Sequence, residues 1–157
     1  MTTHRVFAPA MMFGGVVRSF WSHNVELRSD MLPVNELLAR DGTYALEVRS
    51  TPEAGGWWGV GLPVDRSWAP VDLGPSCSCT FEAFSDSDQC LSIKVKSGSG
   101  LYSPAAEVLA RASCADWDPY SVTLDLPDGV GSAAEMLLLT GPANGGTVLL
   151  RAVLLTC

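Results

Sequence analysis

The aromatic residues carry the chemistry most open to a ligand. Of five tryptophans two are adjacent, Trp57 and Trp58, in the run GGWWGVGLPV. A period-two pattern that points Trp58, Val60, Leu62 and Val64 into a core turns Trp57, Gly59 and Gly61 outward. An outward indole beside two glycines leaves an open apolar patch on which a flat ring can stack. The same alternation turns Glu47, Arg49, Glu82, Lys94 and Asp125 outward, where carboxylates, a guanidinium and an ammonium can hydrogen-bond hydroxyl groups. Stacking combined with such hydrogen bonds holds a flat, hydroxyl-bearing ligand, so Trp57, Glu47, Arg49, Glu82, Lys94 and Asp125 are the candidate ligand-binding residues. The competing reading is a solvated face for each charge and a Trp57 folded over an edge. Trp21, Trp68 and Trp117 fall at strand starts or loop ends and read as half-buried plugs.

Other chemistries find little support. There is no G-x-S-x-G elbow, no H-E-x-x-H and no phosphate loop, and Ser97–Gly100 reads as a linker. The acids of Asp86–Asp88 and Asp116–Asp118 lack the glycine and distant glutamate of a calcium loop and read as turn formers. His4 and His23 belong to no metal or nucleophile motif. Cys77, Cys79, Cys90, Cys114 and Cys157 do not have zinc-ligand spacing; they read as buried or half-buried thiols, with one or two disulfides if the chain is secreted. Glycoside hydrolysis needs only two carboxylates, so the acids leave a small polysaccharide-active enzyme as a third-ranked reading. The clustered Arg, His, Gln and Tyr of a lyase are missing.

Elements that would position these residues follow from alternation. TYALEVRS, WWGVGLPV, CTFEAFSD, CLSIKVKS, YSVTLDLP, EMLLLTG and TVLLRAVLLTC each bury one edge and wet the other, which predicts an all-β, two-sheet antiparallel sandwich with one or two short helices in its loops. Inward sets are Tyr44, Leu46 and Val48; Cys79 and Phe81; Leu91, Ile93 and Val95; and Tyr120, Val122, Leu124 and Leu126. The SDSD of residues 85–88 reads as a hairpin turn, which would place Cys90 opposite Ala83 and Cys77 opposite Lys96. Ser103 as a cap, Pro104 behind it and AAEVLARA make the best helix signal, an edge loop being the alternative. Leu32, Leu37 and Leu38 could form one helical turn. The last two strands are apolar enough to lie in mid-sheet.

The 157 residues read as one domain, with 1–17 a lead-in that includes a first strand, and an export signal is the weaker reading of that block. Ten basic against seventeen acidic residues give a net charge of −7, which repels phosphate backbones and anionic headgroups, so neither nucleic acid nor membrane is expected as a partner. No apolar run approaches the roughly 20 residues of a transmembrane helix.

The strand runs, in the order DGTYALEV, GWWGVGLPV, WAPVDLG, CTFEAFSD, LSIKVKSGSG, DWDPYSVTLDLPDGV and GGTVLLRAVLLTC, resemble those of the galactose-binding-like jelly rolls over residues 40–157. That superfamily includes many carbohydrate-binding modules of polysaccharide-degrading enzymes. The resemblance implies a non-catalytic, secreted module attached to a larger parent enzyme, with a poly- or oligosaccharide as its partner. Members often hold a structural calcium near an acidic residue of the closing strand. This chain reads LLRAVLL there, with Arg151 in place of the acid, so no cofactor is expected. A related jelly roll, that of the complex I intermediate-associated proteins, implies a protein-assembly role as the runner-up.

Overall fold

The apolar and polar alternation closes into two antiparallel sheets packed face to face. The computed structural model describes residues 1–6, 12–13, 16–17, 19–28, 45–53, 55–65, 67–112 and 117–157. Over these run β1 (Thr3–Arg5), β2 (Met12–Phe13), β3 (Val16–Val17), β4 (Trp21–His23), β5 (Val25–Arg28), β6 (Leu46–Ser50) and β7 (Trp57–Pro63). They are followed by β8 (Ser76–Ser85), β9 (Gln89–Ser97), β10 (Ala106–Ala110), β11 (Asp118–Asp125), β12 (Ala134–Pro142) and β13 (Thr147–Thr156). One sheet has the order β11-β8-β13-β6-β5-β3-β2, with β1 also on β13; the other has the order β10-β9-β12-β7-β4. The Leu32–Leu38 turn, Tyr44, Cys114 and Asp116 lie outside the described residues.

Between the sheets lies one core. Trp58, Ile93 and Leu137 from the five-stranded sheet meet Leu46, Phe81 and Leu150 from the other, all at most 4% exposed. Each such side chain withdrawn from water contributes roughly 1.5–3 kcal/mol. Val122, Leu124 and Leu126 face this core while Ser121, Thr123 and Asp125 are exposed, as the alternation predicts. β12 and β13 are each flanked on both sides by other strands, which explains their near-continuous apolar runs.

The connections depart from the sequence reading. β8 and β9 belong to different sheets, so residues 86–88 arch across the sandwich and do not form a hairpin. Two consecutive amphipathic strands can share a core side by side or face to face, and here the arch is pinned for the second arrangement. Asp86 Oδ1 accepts from the Thr147 N–H at 2.9 Å, and Asp88 Oδ1 accepts from the Ala112 N–H at 2.8 Å. Ala83 accordingly pairs with Leu150 and Asp118, and Lys96 with Met136.

The helix expected after Ser103 is instead the edge strand β10, joined to β9. The Ser103 hydroxyl is taken by the sheet: it accepts from the Val95 N–H at 2.9 Å and donates to the Pro104 carbonyl at 3.1 Å, so it caps no helix. The open edge of β9 offers backbone partners that outweigh the weak helix preference of AEVLA. Among the described residues the helical content is one 3-10 turn, Gly131–Ala133.

That turn depends on glycine. A Cβ at Gly131 would overlap the Gly74 carbonyl oxygen, while the Leu73 N–H donates to the Gly131 carbonyl at 2.7 Å. Backbone meets backbone there and neither can swing away. Gly131→Ala is expected to lower the unfolding free energy by on the order of 3 kcal/mol, read as a lower urea midpoint at unchanged m. A midpoint equal to wild type would mean that the two loops separate freely.

Candidate functional site

On the outer side of the five-stranded sheet, parity collects an aromatic cluster at one margin. Trp21 and His23 project from β4, and Trp57 from the neighbouring β7. The Trp21 and Trp57 ring centroids are 5.7 Å apart, and His23 lies 4.5 Å from Trp57 and 6.0 Å from Trp21, nearly parallel to the latter at 7°. Trp57 is 48% exposed and Trp21 39%.

The glycines of β7 make room for these rings. In register, Trp21 sits opposite Gly61 and His23 opposite Gly59. A Cβ on Gly59 would lie 2.6 Å from Trp21 Cζ3 and 2.9 Å from Trp57 Cζ3. On Gly61 it would overlap the Met136 sulfur. The indoles and Met136 thus lie down on a floor without side chains, which is why Gly59 and Gly61 are buried although they face outward.

Beside the indoles runs a groove of about 390 Å³ lined by Phe20, Trp21, Trp57, Lys96, Tyr102, Glu135, Met136 and Leu138. Its floor, Leu138 and Met136, belongs to β12. Its far end is polar: Lys96 Nζ stands 4.0 Å from Glu135 Oε2, each side chain 27% exposed, beside Tyr102, which bridges to Lys96. A ligand here meets ring faces at one end and an ammonium, a carboxylate and a phenol at the other. Those three groups together both donate and accept, as hydroxyl groups require.

The six sequence candidates divide between the sheets. Trp57 and Lys94 share the groove face, Lys94 lying opposite Leu138. Glu47, Arg49, Glu82 and Asp125 lie on the other sheet's outer side. Glu47, expected to be solvated, is 5% exposed: its strand neighbours Ala45 and Leu149 are buried as well, and Arg49 Nη2 donates to its Oε1 at 3.0 Å. Glu82 accepts from Arg151 Nε at 2.5 Å, and that guanidinium lies 4.5 Å from the Trp117 ring. Asp125 is exposed, opposite Ser76. Trp21 is not the plug its position indicates, but an exposed half of the ring pair. Its signal is the W-S-H alternation, too short to read alone; Lys96 shares the parity of Lys94.

The closing strand presents Arg151, already paired with Glu82, and a cation does not fit against a guanidinium. Among the described residues no cluster of three or more His, Cys, Asp or Glu is suited to an ion. Among the described residues the one strongly displaced acid is Cys79, whose thiol burial pushes up to about 12, which makes it inert as a nucleophile.

No family model matches the sequence, nor does any curated protein. Solved structures do. The family 30 carbohydrate-binding module superposes at a TM-score of 0.65 with 16% identity, over 99% of this chain and 88% of that one. A family 29 module, a lysine-to-alanine variant of CBM29-2 complexed with cellulohexaose, superposes at 0.58 with 15% identity, over 98% and 89%. The enzymatically active domain of bacteriophage CBA120 tailspike protein 4 matches at a TM-score of 0.58 with 11% identity, over 85% of this chain and 18% of that one. At such identities the likeness is one of fold: the chain has the β-sandwich of carbohydrate-binding modules, as the strand order implies.

Proposed function

We propose that this domain is a non-catalytic carbohydrate-binding module that holds a poly- or oligosaccharide in the groove of the five-stranded sheet. The observation that supports it most directly is the Trp21–Trp57 pair, 5.7 Å apart, exposed, and laid on a glycine floor beside a groove with a polar end. Pyranose rings present apolar faces edged with hydroxyls; the indoles take the faces, and Lys96, Glu135, Tyr102 and Lys94 take the hydroxyls. Of the sequence candidates, Trp57 lines this groove and Lys94 lies on the same sheet face beside it. Glu47, Arg49, Glu82 and Asp125 are structural or solvated charges of the opposite sheet. The module works as part of a larger secreted protein, a reading supported by the disulfide joining Cys77 and Cys157 and by the longer enzyme in which the same fold occurs.

The test is affinity electrophoresis against soluble glucans, mannans, galactans and polyuronates, with calorimetry on any that retard the protein. At least one is expected to bind without release of reducing ends or unsaturated products. Failure of the whole panel overturns the carbohydrate reading, and product release overturns the non-catalytic one.

A further inference from the structure

We infer that Asn24 is the positioning residue of the aromatic platform: its side-chain amide clamps Trp57 in the place where β4 stops short. The inference takes its functional meaning from the carbohydrate reading, but the clamp itself is a property of the free protein. β4 ends at His23, and the chain crosses at Asn24 to start β5 in the other sheet. Among the described residues, that crossing leaves the Trp57 end of β7 without a backbone neighbour on the β4 side. The carbonyl of Trp57 points to that open side, because the hydrogen-bonded pair of the β7–β12 ladder is Gly56 and Ala143, whose N–H donates to the Gly56 carbonyl at 3.0 Å, and Trp57 next to it faces away from β12. The Trp57 carbonyl would be an orphan. Asn24 Nδ2 donates to it at 3.0 Å.

The same Nδ2 reaches two more groups. It lies 2.7 Å from Glu53 Oε2, an acceptor on the segment before β7, and 3.2 Å from His23 Nε2, the third ring of the platform. The Asn24 carbonyl meanwhile accepts from the Thr51 N–H at 2.9 Å. One residue therefore ties together the two strands that carry the rings and the segment leading into the second. It does so at φ +53°, in the left-handed region that asparagine tolerates better than other residues with a side chain. Aspartate in the same backbone would set a carboxylate against Glu53 and the Trp57 carbonyl; glycine would keep the backbone and drop the clamp.

Glycine is therefore the informative substitution. Asn24→Gly is expected to keep the cooperative thermal transition while changing the near-UV circular dichroism and the tryptophan emission, because the Trp21, His23 and Trp57 rings lose their fixed offset. Affinity for a glycan bound by the wild type is expected to fall by about tenfold, the effect of losing one well-placed hydrogen bond to a contact residue. Glu53→Ala, which frees the amide from its acceptor on an exposed loop, should change the spectra in the same direction and by less. Unchanged aromatic spectra in both variants overturn the inference, even if the wild type binds sugar. Altered spectra alongside a wild type that binds no glycan leave the clamp standing and remove only the carbohydrate reading. An Asn24→Gly protein with altered spectra and full affinity also overturns it, since the platform would then need no positioning.

Discussion

Trp57→Ala is expected to weaken glycan binding at least thirty-fold while leaving the domain folded. The indole is 48% exposed, so its removal takes little from the core; the ligand, by contrast, loses the larger part of an apolar platform. Interface aromatics of this kind commonly carry about 2 kcal/mol or more on truncation, which corresponds to that factor. Trp21→Ala should act in the same direction. The two rings touch, so the double variant is expected to lose less than the sum of the single losses. Trp58→Ala is the contrasting control: one position on, 1% exposed in the core, its loss should cost about 3–5 kcal/mol of stability. Arg49→Ala, on the far sheet, should keep wild-type affinity within twofold. Calorimetry on the four single variants and the double variant settles the matter, and a Trp57→Ala protein that binds at full strength would move the site off this face.

Why Trp57 is legible in the sequence and Trp21 is not has a physical basis. Parity is local: Trp58, Val60 and Leu62 must go one way if Trp57 goes the other, and nothing elsewhere in the chain can change that. Which of two outer faces a residue reaches depends on how strands cross between sheets. Glu82 and Lys94 are both outward by parity, yet the arch at Asp86–Asp88 sends them to opposite sides of the molecule. A hairpin there would place both on one sheet. Glu47 obeys its parity and is still covered, because burial on an outer face depends on what packs over it. β10 is the opposite failure, a segment with helix-forming residues drawn into an open sheet edge by β9. The β-bulge between Arg151 and Leu154, with Ala152 at φ +52°, reverses the parity of the last strand, so that Val148 and Leu150 precede Val153 and Leu155 on the core side. Continuous apolar sequence hides such a reversal.

Loss of the Cys77–Cys157 disulfide is expected to be the second large effect. It links residues 80 apart, fastening the end of β13 to the start of β8. Closing a loop of that length in the unfolded chain is worth roughly 4 kcal/mol by chain entropy, and removal of native disulfides from small domains typically costs about 2–5 kcal/mol. β1 depends on the same corner, since Thr3 pairs with Thr156 and the Thr2 N–H donates to the Cys157 carbonyl at 3.1 Å. Cys157→Ser, or reduction, should therefore lower the melting temperature by roughly 5–15 °C for a domain of this size. Neighbouring Cys79 does not rescue or scramble the bridge. With its thiol pushed up to about 12 by burial, only about one molecule in ten thousand carries the thiolate at pH 8, and exchange needs the thiolate. Alkylation of the native protein at that pH should accordingly label Cys90, which is exposed, and spare Cys79. Equal melting with and without reductant would show that the corner holds without its covalent tie, through the β13–β8 ladder alone.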